Sequence, residues 1–146
     1  MFNKNISFII FFCIFTLSNN LTFGQEIGKI FALDEANANF GKVLESKSVS
    51  SSILKEWLNS TSDKVMFKLE KDNLVVLGDQ RDLLFSNLNY NESNEIFHMY
   101  SKSKVIELLT MGGSTQTYFE NRENVFSISN GEFTLELSFP CPPSCP

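Results

Sequence analysis

The chain is 146 residues long, with 17 acidic against 12 basic side chains (formal net charge −5), one histidine and three cysteines. That length suits one domain around a single core. The acidic balance argues against nucleic acid and anionic lipid as partners, since both are held by Lys and Arg against phosphate. A lone histidine excludes a multi-histidine metal or catalytic centre.

The opening Met1-Phe2-Asn3-Lys4-Asn5 bears one positive charge and leads into an apolar run from Ile6 to Leu17. A run of roughly 12 residues suits a signal-peptide core, whereas a membrane-spanning helix needs about 20. Thr22 and Gly24 put small residues at −3 and −1 of a cleavage site before Gln25. Residues 1–24 are therefore expected to be a cleaved signal peptide. Residues 25–146 are expected to form one exported domain, periplasmic or extracellular, with no stable membrane anchor. Cys13 follows Ile10-Phe11-Phe12 in mid-run, not small residues at its end, which argues against a lipid-acceptor role. Cleavage would remove Lys4 and Cys13, leaving 122 residues, a net charge of −6 and two cysteines, Cys141 and Cys145.

Along the mature chain, Asp34–Phe40 reads as a short helix capped by Asp34 and broken at Gly41. Val43–Val49 reads as a strand, and Ser50, Ser51 and Ser52 offer capping hydroxyls to a helix. That helix gathers Ile53, Leu54, Trp57 and Leu58 into one apolar stripe, with Trp57 as a core anchor. Val65–Leu69 and Leu74–Leu77 flank the polar Glu70–Asn73 as a hairpin, and Leu83–Phe85 continues the sheet after the turn residues Gly78, Asp79 and Gln80. Beyond the polar loop Asn87–Asn94, Glu95–Tyr100 is a strand. Val105, Ile106, Leu108 and Leu109 line a helix stopped by Gly112 and Gly113. Thr115–Phe119 suits a strand. Asn130-Gly131 predicts a two-residue turn with Ser129 opposite Glu132, Ile128 opposite Phe133 and Phe126 opposite Leu135. On that pairing Phe126, Ile128, Phe133, Leu135, Leu137 and Phe139 form the core face and the alternate residues a wet one.

The fold class that follows is α+β, dominated by antiparallel sheet, with about three short helices. Residues 43–86 and 95–139 repeat one order of strand, helix and three strands at an offset near 51 residues, which reads as two tandem βαβββ units. Chance likeness of two ordinary α+β units is the alternative. One such unit resembles cystatin-like domains in its strand–helix–sheet order, a likeness of topology alone, since no cystatin motif is present.

Signals for chemistry are sparse. His98 alternates with Phe97 and Met99 in a strand, which suits a structural or surface histidine. Gly112-Gly113-Ser114 lacks the following glycine of a nucleophile elbow. Asp79 and Asp82 cluster in a turn without calcium-loop spacing. Asn59 and Asn91 open N-glycosylation triplets. Residues 139–146 hold four prolines and the two remaining cysteines, and are expected to end the sheet in a stiff tail. A Cys141–Cys145 disulfide would be a local clasp contributing about 2 kcal/mol. The same C-x-x-x-C-P resembles the copper-binding motif of Sco-type metallochaperones. That resemblance implies a Cu(I) site on Cys141 and Cys145, which His98 would have to complete.

The sequence thus supports an exported, non-enzymatic binding or inhibitory module with no cofactor, whose partner is another protein. Tyr90, Tyr100 and Tyr118 are its candidate interface residues: Tyr118 projects from the opposite face to Phe119, and the others lie in or beside the polar loop. The alternatives are a Cu(I) or thiol-redox protein and, after it, a carboxylate-based hydrolase.

Overall fold

A computed structural model describes residues 25–90 and 95–142. The expected signal peptide, Asn91 and Cys145 lie outside the described residues. In chain order the elements are β1 (Lys29–Ala32), α1 (Leu33–Phe40), β2 (Val43–Ser50), α2 (Ser51–Asn59), β3 (Lys64–Glu70), β4 (Asn73–Leu77), a 3-10 turn (Asp79–Arg81) and β5 (Leu83–Ser86). There follow β6 (Phe97–Ser101), α3 (Lys102–Gly112), β7 (Gln116–Arg122), β8 (Phe126–Asn130), β9 (Phe133–Glu136) and β10 (Phe139–Cys141). They build two antiparallel five-stranded sheets, a first in the order β1-β9-β8-β7-β2 and a second in the order β10-β6-β3-β4-β5. The fold is α+β and sheet-dominated, as the patterning requires.

The order β-α-β-β-β occurs twice, and α2 and α3 begin at Ser51 and Lys102. Each half pairs its last three strands with one another but not with its first. β2 leaves its own half to pair with β7, and β6 pairs with β3, so each half lends its first strand to the other. One core results. Leu54 and Leu58 of α2, Val105 and Leu108 of α3, Phe67 of the second sheet and Phe119, Phe126 and Ile128 of the first meet in a single buried cluster. Phe67 lies 5.0 Å from Phe119, centroid to centroid, which is where the two sheets touch. Trp57 is half-buried and stacks on Phe85 at 4.5 Å. The expected serine caps differ: Ser50 precedes α2, but its hydroxyl meets Ser52 Oγ (2.8 Å) and does not cap a backbone N–H of the first turn. Asp34 likewise falls inside the first turn of α1, with Ala32 at the cap.

The β8–β9 hairpin departs from its expected register by two residues. Ile128 opposes Leu135, Ser129 opposes Thr134 and Asn130 opposes Phe133, so the turn is Gly131-Glu132. A slip of two keeps every side chain on its face. The reason for it is Asn130, whose buried amide Nδ2 donates to Ser51 Oγ (3.0 Å), Thr117 Oγ1 (3.0 Å) and Gln116 O (2.9 Å), while its Oδ1 accepts from Ser114 N (3.0 Å). Those bonds fix Asn130 as a strand residue at the start of α2 and β7. Gly131, at φ 58°, then abuts Gly112 backbone to backbone, where a Cβ on either would collide.

Three further expectations fail toward the C-terminal end. The face of Ser127, Ser129, Thr134 and Glu136 is buried, not wet, because α1 folds back over it. Leu137 and Phe139 are 47% and 42% exposed and are not core. After Glu136 the chain leaves the first sheet through Leu137, at φ 63°, and crosses to the second as β10. The proline-rich tail therefore does not end the sheet: Phe139–Cys141 pairs with β6, an edge position that tolerates Pro140.

Candidate functional site

Strand alternation gives each sheet an outer face, and each outer face holds a distinct cluster. On the second sheet, Met66 (β3), Val75 and Leu77 (β4), Phe97 and Met99 (β6) and Cys141 (β10) form a buried apolar band, closed at one end by Ile27. Arg81 clasps it from above. Its guanidinium lies 4.9 Å from the Phe97 ring and donates to Cys141 O (3.3 Å), Cys141 Sγ (3.4 Å) and Glu95 O (3.3 Å).

Beside the band lies a cleft of about 440 Å³. Its floor is Val75 and Asn73, one wall is Leu88, Asn89 and Tyr90, and the other is charged. Lys68 Nζ bridges Glu70 (2.8 Å) and Glu95 (2.9 Å), and Lys71 stands at the rim. Burial works against the Lys68 charge, but hydrogen bonds from it to both glutamates raise its pKa on balance. Lys71 and Asp72 form the two-residue β3–β4 turn with φ of 51° and 63°, so the turn itself places Lys71 over the cleft. Two polar atoms of the lining residues, Asn73 Oδ1 and the Tyr90 hydroxyl, are buried with no hydrogen-bond partner among the described residues. Such atoms cost about 1–3 kcal/mol each, and mark where an incoming polar group would gain most.

On the first sheet the outer cluster is polar. Glu120 of β7 lies directly opposite Ser127 of β8, and Glu136 follows Leu135 of β9, which opposes Ile128, the residue after Ser127. Arg122 joins them: its Nη2 lies 2.9 Å from Glu120 Oε2 and its Nε 3.6 Å from Glu136 Oε1. Its Nη1 donates to Asn37 Oδ1 (2.7 Å) and Gly41 O (3.2 Å), which pins α1 over the cluster. Among the described residues Arg122 Nε, Ser127 Oγ and both Glu136 oxygens lack a well-aligned hydrogen bond, although Ser127 is close enough to Glu136 to favour its charged form. Burial pushes the Glu136 carboxyl up to about 7, assisted by Glu120 and opposed by Ser127 and Arg122. This cluster is closed to solvent, so it holds the fold and offers no substrate access.

The residues singled out from sequence are dispersed. Tyr90 lines the cleft, its ring edge-on to Phe97 at 6.1 Å. Tyr118 is 42% exposed on β7. Tyr100 is a correction: it is fully buried in a central strand, its hydroxyl donates to Phe126 O at 2.7 Å, and burial raises its pKa well above the usual value. His98 stacks on Phe126 at 4.7 Å, meets Ser138 Oγ through Nδ1 at 3.1 Å, and has its pKa lowered by burial. The shallow pocket around it is lined by no carboxylate. Cys141 faces outward beside Phe97, whereas His98 opposes Pro140 and turns to the other face. The structure therefore does not bring His98 to Cys141, and no metal-binding cluster of three or more His, Cys, Asp or Glu occurs among the described residues. Asp79 is a capping group: burial would raise its pKa, but the N–H groups of Lys64 (2.9 Å), Ser62 (2.6 Å) and Asp63 (3.2 Å) and the Thr61 hydroxyl (2.8 Å) hold it below the usual range.

Sequence reasoning missed the Lys68–Glu70–Glu95 cluster and Arg122. For the first, the alternating Lys68 and Glu70 of a strand carried the signal. For the second, Arg122 stands out only once α1 is known to cover β7. No family model matches the chain, and neither does any curated protein or solved structure. No helix of the described residues is long and apolar enough to cross a membrane.

Proposed function

We propose that the chain is an exported, non-enzymatic binding or inhibitory module whose partner is another protein, and that the cleft of the second sheet is where the partner is held. One observation carries this reading. The half-open cleft gathers both signs of charge, two amides and the Tyr90 ring, and among the described residues two polar atoms of its lining lack partners. A protein surface supplies donors, acceptors and apolar contact together, and tyrosine at an interface offers rigid area with a polar tip. Of the groups suited to acid–base chemistry, Asp79 is committed to a cap, Glu120 and Glu136 to Arg122, His98 to an aromatic stack, and Glu70 and Glu95 of the cleft to Lys68.

The same reading holds that the exported chain begins at Gln25 and that Cys141 and Cys145 are joined. Intact mass of exported material is expected to lack residues 1–24 and to rise by about 2 Da on reduction. An intact Met1, or Cu(I) bound by the reduced protein and lost in Cys141→Ser, would refute these points. For the cleft, the exported domain is used as bait in its own exported fraction. A partner held by the wild type and lost with Tyr90→Ala or Lys71→Glu, both variants melting as the wild type does, is the expected result. Capture indifferent to both substitutions, or hydrolase turnover abolished by His98→Ala, would overturn the reading.

A further inference from the structure

The open edge of β2 carries a second interaction surface, independent of the cleft. β2 is eight residues long and terminal in the first sheet, so among the described residues one whole side of it is unpaired. Long open edges are templates for another strand.

The sequence of this edge selects its own partner. Around Ser46 it reads Val43-Leu44-Glu45-Ser46-Lys47-Ser48-Val49, with an acid on one side of the serine and a base on the other. Glu45 and Lys47 share the inner face, opposite Asn121 and Phe119, while Ser46 and Ser48 share the outer face, opposite Glu120 and Tyr118. We propose that this edge is where a second copy of the chain docks, antiparallel and two-fold, with Ser46 facing Ser46 of the other copy across the axis.

In that register Glu45 of each copy meets Lys47 of the other, twice over. Sliding the strands by two residues in one direction sets Glu45 against Glu45, and in the other Lys47 against Lys47. Like charges directly opposed are unfavourable, so a single register is matched. The Glu45 carboxylate is already fixed, accepting from Asp72 N (2.7 Å) and Asn121 Nδ2 (2.8 Å), and among the described residues Lys47 has no ion-pair partner. The outer face gains as well. Leu44, which the ladder with β7 skips, is 69% exposed; it would come opposite Ser48 of the second copy, one strand from that copy's exposed Tyr118. The contact is isologous and closes on itself, joining two five-stranded sheets into one.

The experiment is light scattering of the exported protein over a concentration series, with three variants. The wild type is expected to dimerise as concentration rises. Lys47→Glu opposes like charges at two symmetric places and is expected to weaken the dimer on the order of tenfold or more without changing the melting curve. Ser46→Cys places two thiols on the axis, where Cα atoms about 4.5–5.5 Å apart suit a disulfide, and is expected to give a covalent dimer on mild oxidation. Ser48→Cys, facing Leu44, is expected to cross-link far less. A wild type monomeric throughout, a dimer indifferent to Lys47→Glu, or equal cross-linking at 46 and 48 would each overturn the proposal. None of these outcomes bears on the cleft, because Ser46, Lys47 and Ser48 do not line it.

Discussion

The outer faces of the two sheets share the order of four of their five strands and are filled with opposite chemistry. On the second sheet the central positions are Met66, Val75, Phe97 and Met99, packed together under the Arg81 clasp. On the first they are Glu120, Ser127, Ser129, Thr134 and Glu136, just as deeply buried but polar, under α1. The first arrangement gains from removing apolar area from water. The second gains little net, because desolvating two carboxylates and a guanidinium consumes most of their attraction. What the polar face supplies is geometry: Arg122 reaches Asn37 and Gly41 only where α1 is docked. The apolar face should therefore tolerate change gradually, and the polar face should fail at single residues.

The largest effect is expected at Arg122. Arg122→Ala leaves Glu120 and Glu136 buried without their counter-charge and unpins α1, at an expected cost of about 3–5 kcal/mol in urea unfolding. Replacing the whole cluster, as Arg122→Met with Glu120→Leu and Glu136→Leu, should recover most of that loss, since no unpaired charge then remains buried. A triple variant no better than Arg122→Ala would mean that the cluster contributes net stability in itself.

A second effect separates the faces by pH. Glu136 has a folded pKa of about 7 against an ordinary 4.5, so the folded state holds its proton more tightly. Its stabilising contribution is full below the unfolded value and is lost as pH rises through 7, a change of about 3 kcal/mol. The charged and titratable groups around it are Glu120 and Arg122 on β7, Lys29 opposite it on β1, and Tyr100. Urea midpoints at pH 5 and pH 8 should differ in that sense for the wild type and converge for Glu136→Gln. A wild type more stable at pH 8 would break the assignment.

These contrasts also show what the sequence carried. Alternation of Phe126, Ile128 and Leu135 revealed the inner face, and the periods of Leu54, Leu58, Val105 and Leu108 revealed the helices, because local patterning reports burial on one side of an element. It could not report that α1 returns over the other side, so Ser127 and Glu136 read as solvated. Nor could it place Asn130, whose turn preference is overridden by hydrogen bonds to Ser51 and Thr117, far away in the chain. The repeated element order was legible at its offset, but the exchange of β2 and β6 was not, since a strand's pattern does not name its neighbour. Of the cleft, Tyr90 was picked out for its residue type; Lys68 and Glu95 meet only through the fold.

On the apolar face, Phe97→Leu should cost only about 1 kcal/mol, because the replacement keeps hydrophobic bulk among flexible neighbours, two of them methionines. The Arg81 guanidinium would lose its contact with the ring and keep its bonds to Cys141 and Glu95. A loss as large as that of Arg122→Ala would show that the second sheet is equally brittle.

The smallest effect is expected at Lys68, and it tests whether charge on the second sheet serves stability at all. Lys68 bridges Glu70 and Glu95 at distances as short as those Arg122 makes, yet its partners are about half exposed while Glu136 is sealed. Water already solvates the carboxylates, so removing the lysine strands no buried charge, and Lys68→Ala should cost less than about 1 kcal/mol. The same substitution changes the charged wall of the cleft from two lysines against two glutamates to one lysine, at the rim, against two. Partner capture should therefore fall while the urea midpoint barely moves. A midpoint shift of the size expected for Arg122→Ala would make Lys68 a structural residue, and would remove the distinction between a wall built for binding and a cluster built to hold a helix in place.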